Sequence, residues 1–499
     1  MPKLSNIKSL PKRSLSKVKT SLKNFNLFKS IKKVATNKEI LQRIGITLLI
    51  VVIYRGLAQI PLPGVDMTAY KSLFENKSIS EVNYLFTVFT GGRLETPSIV
   101  GLGLAAYINA SIIMQILPYA IQRLKNLQQE GERGQQAINQ ITRFITFPLA
   151  FIYSLAYVGL ISQTDFNQGK ETPLYLIARI NGETWPTLSK VFFMALILAA
   201  GTVFLMWLSE IVTEKGMGNG SSVVISIGIL SSLPALIKID FDRLDVGNIL
   251  NQLVKGNSIA LTNPSTLAII GTIIGFIFVV CAIVFINESQ RRLPIQYARR
   301  VRGADIGRGS NLPIKFTVTG VMPVIFAYAL LSLPQLIIPL IEKSVGTTDF
   351  IASLKDSFLF ANQSQVITDK TILYDVVYFS LIVIFGLFYA FIVLNPKETS
   401  ENLQKSGAFI PGVRPGKSTE NYLTTVLIRV GFIGSFLLAI IAIIPVIGRY
   451  LVLSSTQQSL ALLSGIGGTS VLILVGVLLD TKRQYDSLRA TKNYQKFVS

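Results

Sequence analysis

The stretch LAIIGTIIGFIFVVCAIVFI, residues 267–286, runs for twenty residues without a charge. Wound as an α-helix it rises about 1.5 Å per residue, roughly 30 Å in all, which is the thickness of a bilayer's hydrocarbon core. No water is available there to satisfy backbone groups, so a helix is the form expected. Working outward in both directions, runs of this kind recur. Ten spans are expected, near 40–60, 103–121, 143–162, 191–209, 219–236, 267–286, 318–341, 375–394, 424–447 and 463–480. Half of the 499 residues are apolar, and their clustering into these runs indicates an all-α membrane protein. Gly and Pro inside several runs are compatible with this, because neighbouring helices can tolerate them in a membrane.

The formal net charge is +21, with 48 Lys+Arg against 27 Asp+Glu. On a soluble chain that excess would point first to nucleic acid. Between hydrophobic spans it reads as topology information. With both termini inside, the inside segments hold about 32 Lys+Arg and the outside loops about 13, the bias expected of an N-in, C-in arrangement. Residues 1–38 carry eleven Lys+Arg and no acidic residue. They read as a basic cytoplasmic tail that anchors the first helix, with anionic lipid or ribosomal RNA as the sharper alternative contact. The tail is too long and basic for the start of a cleavable signal peptide, and none is expected. The inside loop at 287–317 holds Arg291, Arg292, Arg299, Arg300, Arg302, Arg308 and Lys315 against Glu288 and Asp305. That exceeds what orientation requires and points to docking of a large partner.

Several function classes are disfavoured by what is missing. The chain has no histidine and one cysteine, Cys281. His-based acid–base catalysis, a His/Cys metal site and an internal disulfide are therefore not expected, and neither is any cofactor. Ion-coupled carriers usually place ionisable groups near mid-membrane. Here no Asp, Glu or Lys falls in the middle of a span; Arg55 lies in the outer part of the first, and Glu210 and Asp480 lie at helix ends. A pore or scaffold with an apolar interior remains, with a small-solute secondary transporter and a non-conducting membrane scaffold as alternatives. One segment resists the ten-span scheme. YLFTVFTGGRLETPSIVG, 84–101, is apolar in patches but broken by Gly91, Gly92, Arg93 and Glu95. It reads as a short re-entrant helix shielded by protein, or as an amphipathic helix at the outer surface.

Blocks distributed over nearly the whole chain resemble one family, SecY, in family order. They are IPLPGVD (60–66), FTGGRLETPSIVGLGLAAYINASIIMQIL (89–117), EGERGQQAINQITRF (130–144) and GTVFLMWLSEIVTEKGMGNGSSVVI (201–225), followed by ESQRRLPIQYARR (288–300), LPIKFTVTGVMPVIFA (312–327), NPKETSENLQKSGAFIPGVRPGKSTENYL (395–423) and GGTSVLILVGVLLD (467–480). The first 38 residues and the outside loops match poorly.

The resemblance implies a clamshell of two pseudo-symmetric five-helix halves, 39–236 and 267–480, joined by an external hinge loop at 237–266 and followed by a tail, 481–499. It implies a pore subunit without catalytic residues, which conducts unfolded polypeptide and releases hydrophobic segments sideways. A ring of apolar side chains would close the pore: Leu104, Ile108, Ile225, Ile325 and Ile473. The sixth ring position falls on Ser221, where the family usually carries an apolar residue. A plug at about 85–101, with Gly91, Gly92 and Arg93, would add a second seal. A lateral gate between the second and seventh helices would include Asn109 and Gln115 as polar contacts. Arg299, Arg300, Arg302 and Arg414 would dock cytosolic partners. Those implied are the SecA motor or a ribosome, with SecE and SecG as further subunits, and with preproteins and signal sequences as substrates. The implied location is a bacterial inner membrane, with a plastid thylakoid membrane as the alternative.

Overall fold

The computed structural model describes residues 38–65, 98–163, 188–243, 264–297, 310–317, 320–345, 369–456 and 468–498. Among these are twelve helices and three strands. Ten helices correspond to the ten expected spans: α1 (Lys38–Leu57), α2 (Ala105–Ala120), α4 (Glu132–Gln163), α5 (Leu188–Lys215), α6 (Gly220–Arg243), α7 (Pro264–Glu288), α8 (Met322–Val345), α9 (Asp369–Val393), α11 (Lys417–Thr456) and α12 (Gly468–Val498). The short polar helices α3 (Gln122–Gln129) and α10 (Pro396–Lys405) lie between them. Five stretches, Lys38–Leu57, Glu132–Gly159, Ser189–Lys215, Ile372–Lys405 and Lys417–Ile444, are individually long and apolar enough to cross a membrane. Large apolar side chains face outward, as on α7, where Phe278 is 61% exposed. A helix apolar on its outer side is at home in lipid, where that surface meets acyl chains.

Several helices outrun their apolar runs. α4 begins at Glu132, well before the run starting near 143, and α12 continues to Val498, far beyond Asp480. Hydropathy marks where the hydrocarbon ends; helical hydrogen bonding continues into water wherever the polar residues permit it.

The spans are helical as expected, and the polar connections add a small sheet. The basic loop after α7 forms a hairpin, β1 (Gln290–Tyr297) with β2 (Ser310–Lys315), paired from Gln290↔Lys315 to Ile295↔Ser310. β3 (Ala408–Phe409), from the loop after α10, adds to β1 at Gln296↔Phe409 and Tyr297↔Ala408, giving the order β2-β1-β3. The reason is visible in β1: Leu293 and Ile295 are buried while Arg292 and Pro294 are exposed, the two-residue alternation of a half-buried strand. Leu293, Ile314, Ile410, Leu423, Val426 and Val430 give this end of the bundle its own small core.

Three larger clusters organise the helices. One joins Leu62 to α2, α4 and α5; another joins α1, α2, α5 and α6. The largest joins α7, α8, α9, α11 and α12. The first two make one half; the third makes the other and takes in Ile112 of α2. The halves meet along two seams: α2 and α4 against α8, and α6 against α12.

Candidate functional site

The five aliphatic side chains named for the ring converge from four helices of both halves. Leu104 is the residue before α2, and its carbonyl accepts the first turn's N–H from Ile108 at 2.9 Å. The two side chains therefore share one face of the helix. Ile325 lies in the first turn of α8 and Ile473 early in α12; they are 6% and 7% exposed and belong to the second half's core. Ile225, from α6, packs against that core. Ile108 packs against both this core and the cluster containing Leu104. Ile112, Ile229 and Val477 extend the same surface, each four residues after a ring position, and Val477 likewise touches both clusters. The sequence reading omitted these three, although their i+4 spacing was available as a signal. Gly476 lets α12 come close: a Cβ there would overlap the Val321 side chain. Ser221 sits one turn before Ile225, in the first turn of α6. Its hydroxyl donates to Asn219 Oδ1 at 2.7 Å, and the same oxygen accepts the Ser221 N–H at 3.2 Å. Its polarity is thus satisfied by the residue that caps α6.

A constriction walled by aliphatic groups offers an ion nothing to replace its hydration shell, so it closes to charge without a charged gate. It also offers a passing chain no strong polar contact. Among the described residues no cluster of three potential metal ligands occurs.

Gly91, Gly92 and Arg93 lie outside the described residues; the end of their segment lies within them. Ser98 bridges Pro61, and the Ile99 N–H donates to the Ile60 carbonyl at 3.1 Å. On the other side Gly201 of α5 lies against the Ile99 carbonyl, where a Cβ would collide. The root of the 84–101 segment is therefore pinned between the exit of α1 and the middle of α5.

The two residues named for the gate have different partners. Asn109 is buried and its Nδ2 donates to the Tyr153 hydroxyl at 2.8 Å, which ties α2 to α4 inside the first half. Gln115 Nε2 donates to Ser111 Oγ at 3.0 Å, and its Oε1 accepts from the Tyr389 hydroxyl of α9. Only Gln115, of this pair, reaches the other half. Around it, Tyr119 meets Phe388 edge-on at 5.5 Å and Phe326 lies 4.8 Å from Tyr389. This front seam is made of side chains.

The other seam is anchored by backbone. In the turn GMGNG, 216–220, the Met217 N–H donates to Thr47 Oγ1 of α1 at 3.0 Å, and the Gly218 N–H donates to Gln484 Oε1 of α12. The neighbouring Arg483 turns into its own half. Its guanidinium donates to the Asn287 carbonyl at 2.5 Å and pairs with Asp480 at 3.1 Å and Glu288 at 3.4 Å. Thr317 Oγ1 donates to Asn287 Oδ1 at 2.7 Å. Burial and the nearby Arg483 push the Lys315 ammonium below its ordinary value, while Asp480 and Glu288 pull it back. In the first half, Arg143 of α4 grips Glu210 of α5 through Nε–Oε1 at 2.9 Å and Nη2–Oε2 at 2.8 Å. The sequence reading had missed this pairing.

Arg414 is exposed at the tip of PGVRPG. Gly412 and Gly416 adopt φ of +82° and +96°, a region that favours glycine. Thr419 Oγ1 donates to the Arg414 carbonyl and Ser400 Oγ to that of Gly416, both at 2.9 Å. The tip is thus held while the guanidinium stays free to meet a partner. Arg299, Arg300 and Arg302 lie outside the described residues; the described chain stops at Tyr297, paired with Ala408 in the strand that leads to the Arg414 tip.

The sequence model of the SecY family matches residues 98–482. The chain is 35% identical over 460 residues to the protein translocase subunit SecY of Synechocystis sp., covering 91% of this chain and 93% of that one. It is 36% identical over 475 residues to the SecY subunit of Guillardia theta, covering 94% and 99%. Among solved structures, one described as a protein conducting channel superposes with a TM-score of 0.58 at 20% identity, covering 89% of this chain and 91% of that one. Sec61 in a canine ribosome–channel complex superposes with a TM-score of 0.55 at 19% identity, over the same shares. These structures share the fold, and the sequence matches run through all four ring helices, both seams and the Arg414 tip: the chain belongs to the SecY family.

Proposed function

We propose that the chain is the pore-forming subunit of a general protein translocase. It conducts unfolded polypeptide across the membrane and releases hydrophobic segments sideways into the bilayer. It is a channel subunit and not an enzyme. The observation that supports this is that Leu104 lies in one apolar cluster, Ile225, Ile325 and Ile473 in or against another, and Ile108 packs against both. Such a throat excludes ions when narrow and deforms around a chain when the halves part. Hydrophobic segments leave through the α2–α8 seam because burial in lipid favours them by roughly 25 cal/mol per Å2 of apolar area.

Residues 85–101, including Gly91, Gly92 and Arg93, act as the plug, rooted at Ser98 and Ile99. The halves are 39–236 and 267–480, with the connection at 237–266 as the hinge. Gln115 contributes to the lateral gate directly through Tyr389, and Asn109 only by bracing α2, the gate's first helix, against α4. The ends bearing the strands, α3 and α10 face the cytosol, with both termini inside, in a bacterial inner membrane or, alternatively, a plastid thylakoid membrane. Arg414, with Arg299, Arg300 and Arg302 beyond β1, docks a ribosome or the SecA motor, because a guanidinium fork binds phosphate and carboxylate alike. SecE and SecG complete the complex.

Liposomes holding this chain with SecE and SecA are expected to import a preprotein only with ATP. Ion-gradient-driven solute uptake without preprotein import would make the chain a secondary transporter; neither activity would make it a scaffold.

A further inference from the structure

Gln484 lies within α12, just past the end of its apolar run. Its Oε1 accepts from the backbone N–H of Gly218, in the other half. Around the same point, Thr481 Oγ1 and Val223 Cγ2 lie 3.0 and 3.1 Å from where a Cβ on Gly218 would stand. Gly218 takes a φ of +86°, so the turn presents its N–H to α12 in a conformation that other residues rarely adopt. The turn is itself fixed to α1 through Met217 and Thr47. One residue before Gln484, Arg483 is fixed to α7 through the Asn287 carbonyl. The Asp480–Gln484 segment is therefore gripped from both halves at once, by contacts that include backbone groups.

We propose that the clasp of Gln484 on the 216–220 turn is a fixed pivot of the clamshell. It lies at the strand-bearing end of the α6–α12 seam and keeps that seam closed while the α2–α8 seam opens. Gln484 is a positioning residue: it acts by fixing α12, which carries Ile473 and Val477, beside the turn that leads into α6, which carries Ile225. The clasp adds a defined anchor to the covalent connection between α6 and α7. With the turn that leads into it held beside α12 in this way, α6 can rotate about that point without parting from α12.

The proposal rests on the translocase reading, and the experiment separates the two. In the full complex with Cys281 replaced by Ser, Val223→Cys and Thr481→Cys are joined by a short bis-maleimide. ATP-dependent preprotein import is expected to stay within about twofold of the unlinked protein. Import abolished by the link would overturn the pivot, because the seam would then have to part. No import even by the parental complex would overturn the translocase reading instead. A second pair of variants tests Gln484 itself. Gln484→Met removes the acceptor at similar length and is expected to raise closed-state ion conductance several-fold. Gln484→Glu retains an acceptor and is expected to stay near the parent. Equal conductance in Gln484→Met and the parent would remove the role assigned to the side chain.

Discussion

The two seams between the halves are built differently. At the front, α2 meets α8 and α9 through side chains: Gln115 with Tyr389, and Tyr119 with Phe388. At the back, α6 meets α12 beside a turn whose own backbone N–H groups are held by Thr47 and Gln484. Side-chain contacts can be exchanged for contacts with an entering apolar helix. Two adjacent N–H groups of one turn, each held by a different helix, have no comparable substitute, and leaving them part-buried and unpaired would cost their desolvation. Under the proposed function, this difference suits a front that moves and a back that stays closed.

The largest effect that could break this contrast comes from locking the front. Gln115→Cys with Tyr389→Cys, joined by a short crosslinker in the Cys281→Ser background, is expected to abolish preprotein import, measured as protease-protected product. Import at the parental rate would show that the front seam need not open. Next in size is Arg414→Glu, which reverses the charge at the docking tip. Motor-driven import is expected to fall about tenfold or more while membrane assembly and crosslinking efficiency at both seams stay unchanged. A charge reversal that altered seam crosslinking without touching import would contradict the separation of docking from gating.

A smaller effect is expected from Tyr389→Phe. Hydrogen bonds between membrane helices are worth about 1 kcal/mol, so front opening should become easier by roughly fivefold. Import of a preprotein with a shortened hydrophobic signal should rise by a similar factor; a decrease would mean that the hydroxyl favours the open form. The smallest effect on gating belongs to Asn109→Ala. Its partner Tyr153 is in the same half, so thermal stability should fall by about 1 kcal/mol with the short-signal import unchanged. A gain equal to that of Tyr389→Phe would place Asn109 across the gate after all.

The ten spans were legible because an uncharged run such as 267–286 has one physical use at that length. Helix ends were less legible: nothing apolar marks Glu132 or Val498 as the limits of α4 and α12. The hairpin is written into QRRLPIQY as alternation at Leu293 and Ile295, two apolar positions in a run otherwise dominated by Arg and Gln. The ring positions are assigned by resemblance, and Ile112, Ile229 and Val477, four residues after three of them, follow from helix geometry alone. Partners distant in sequence were not legible. Asn109 finds Tyr153, Gln115 finds Tyr389 and Gly218 finds Gln484 only after the helices are packed. Neither composition nor spacing distinguishes Asn109, which stays within its half, from Gln115, which crosses.

The most direct test places a photoreactive residue in turn at Ile108, in the throat, and at Phe278, on the outward face of α7, and stalls a preprotein partway through import. The account predicts strong crosslinks to the stalled chain from position 108 and none from position 278. Crosslinks from 278 with none from 108 would mean that polypeptide does not pass between the halves.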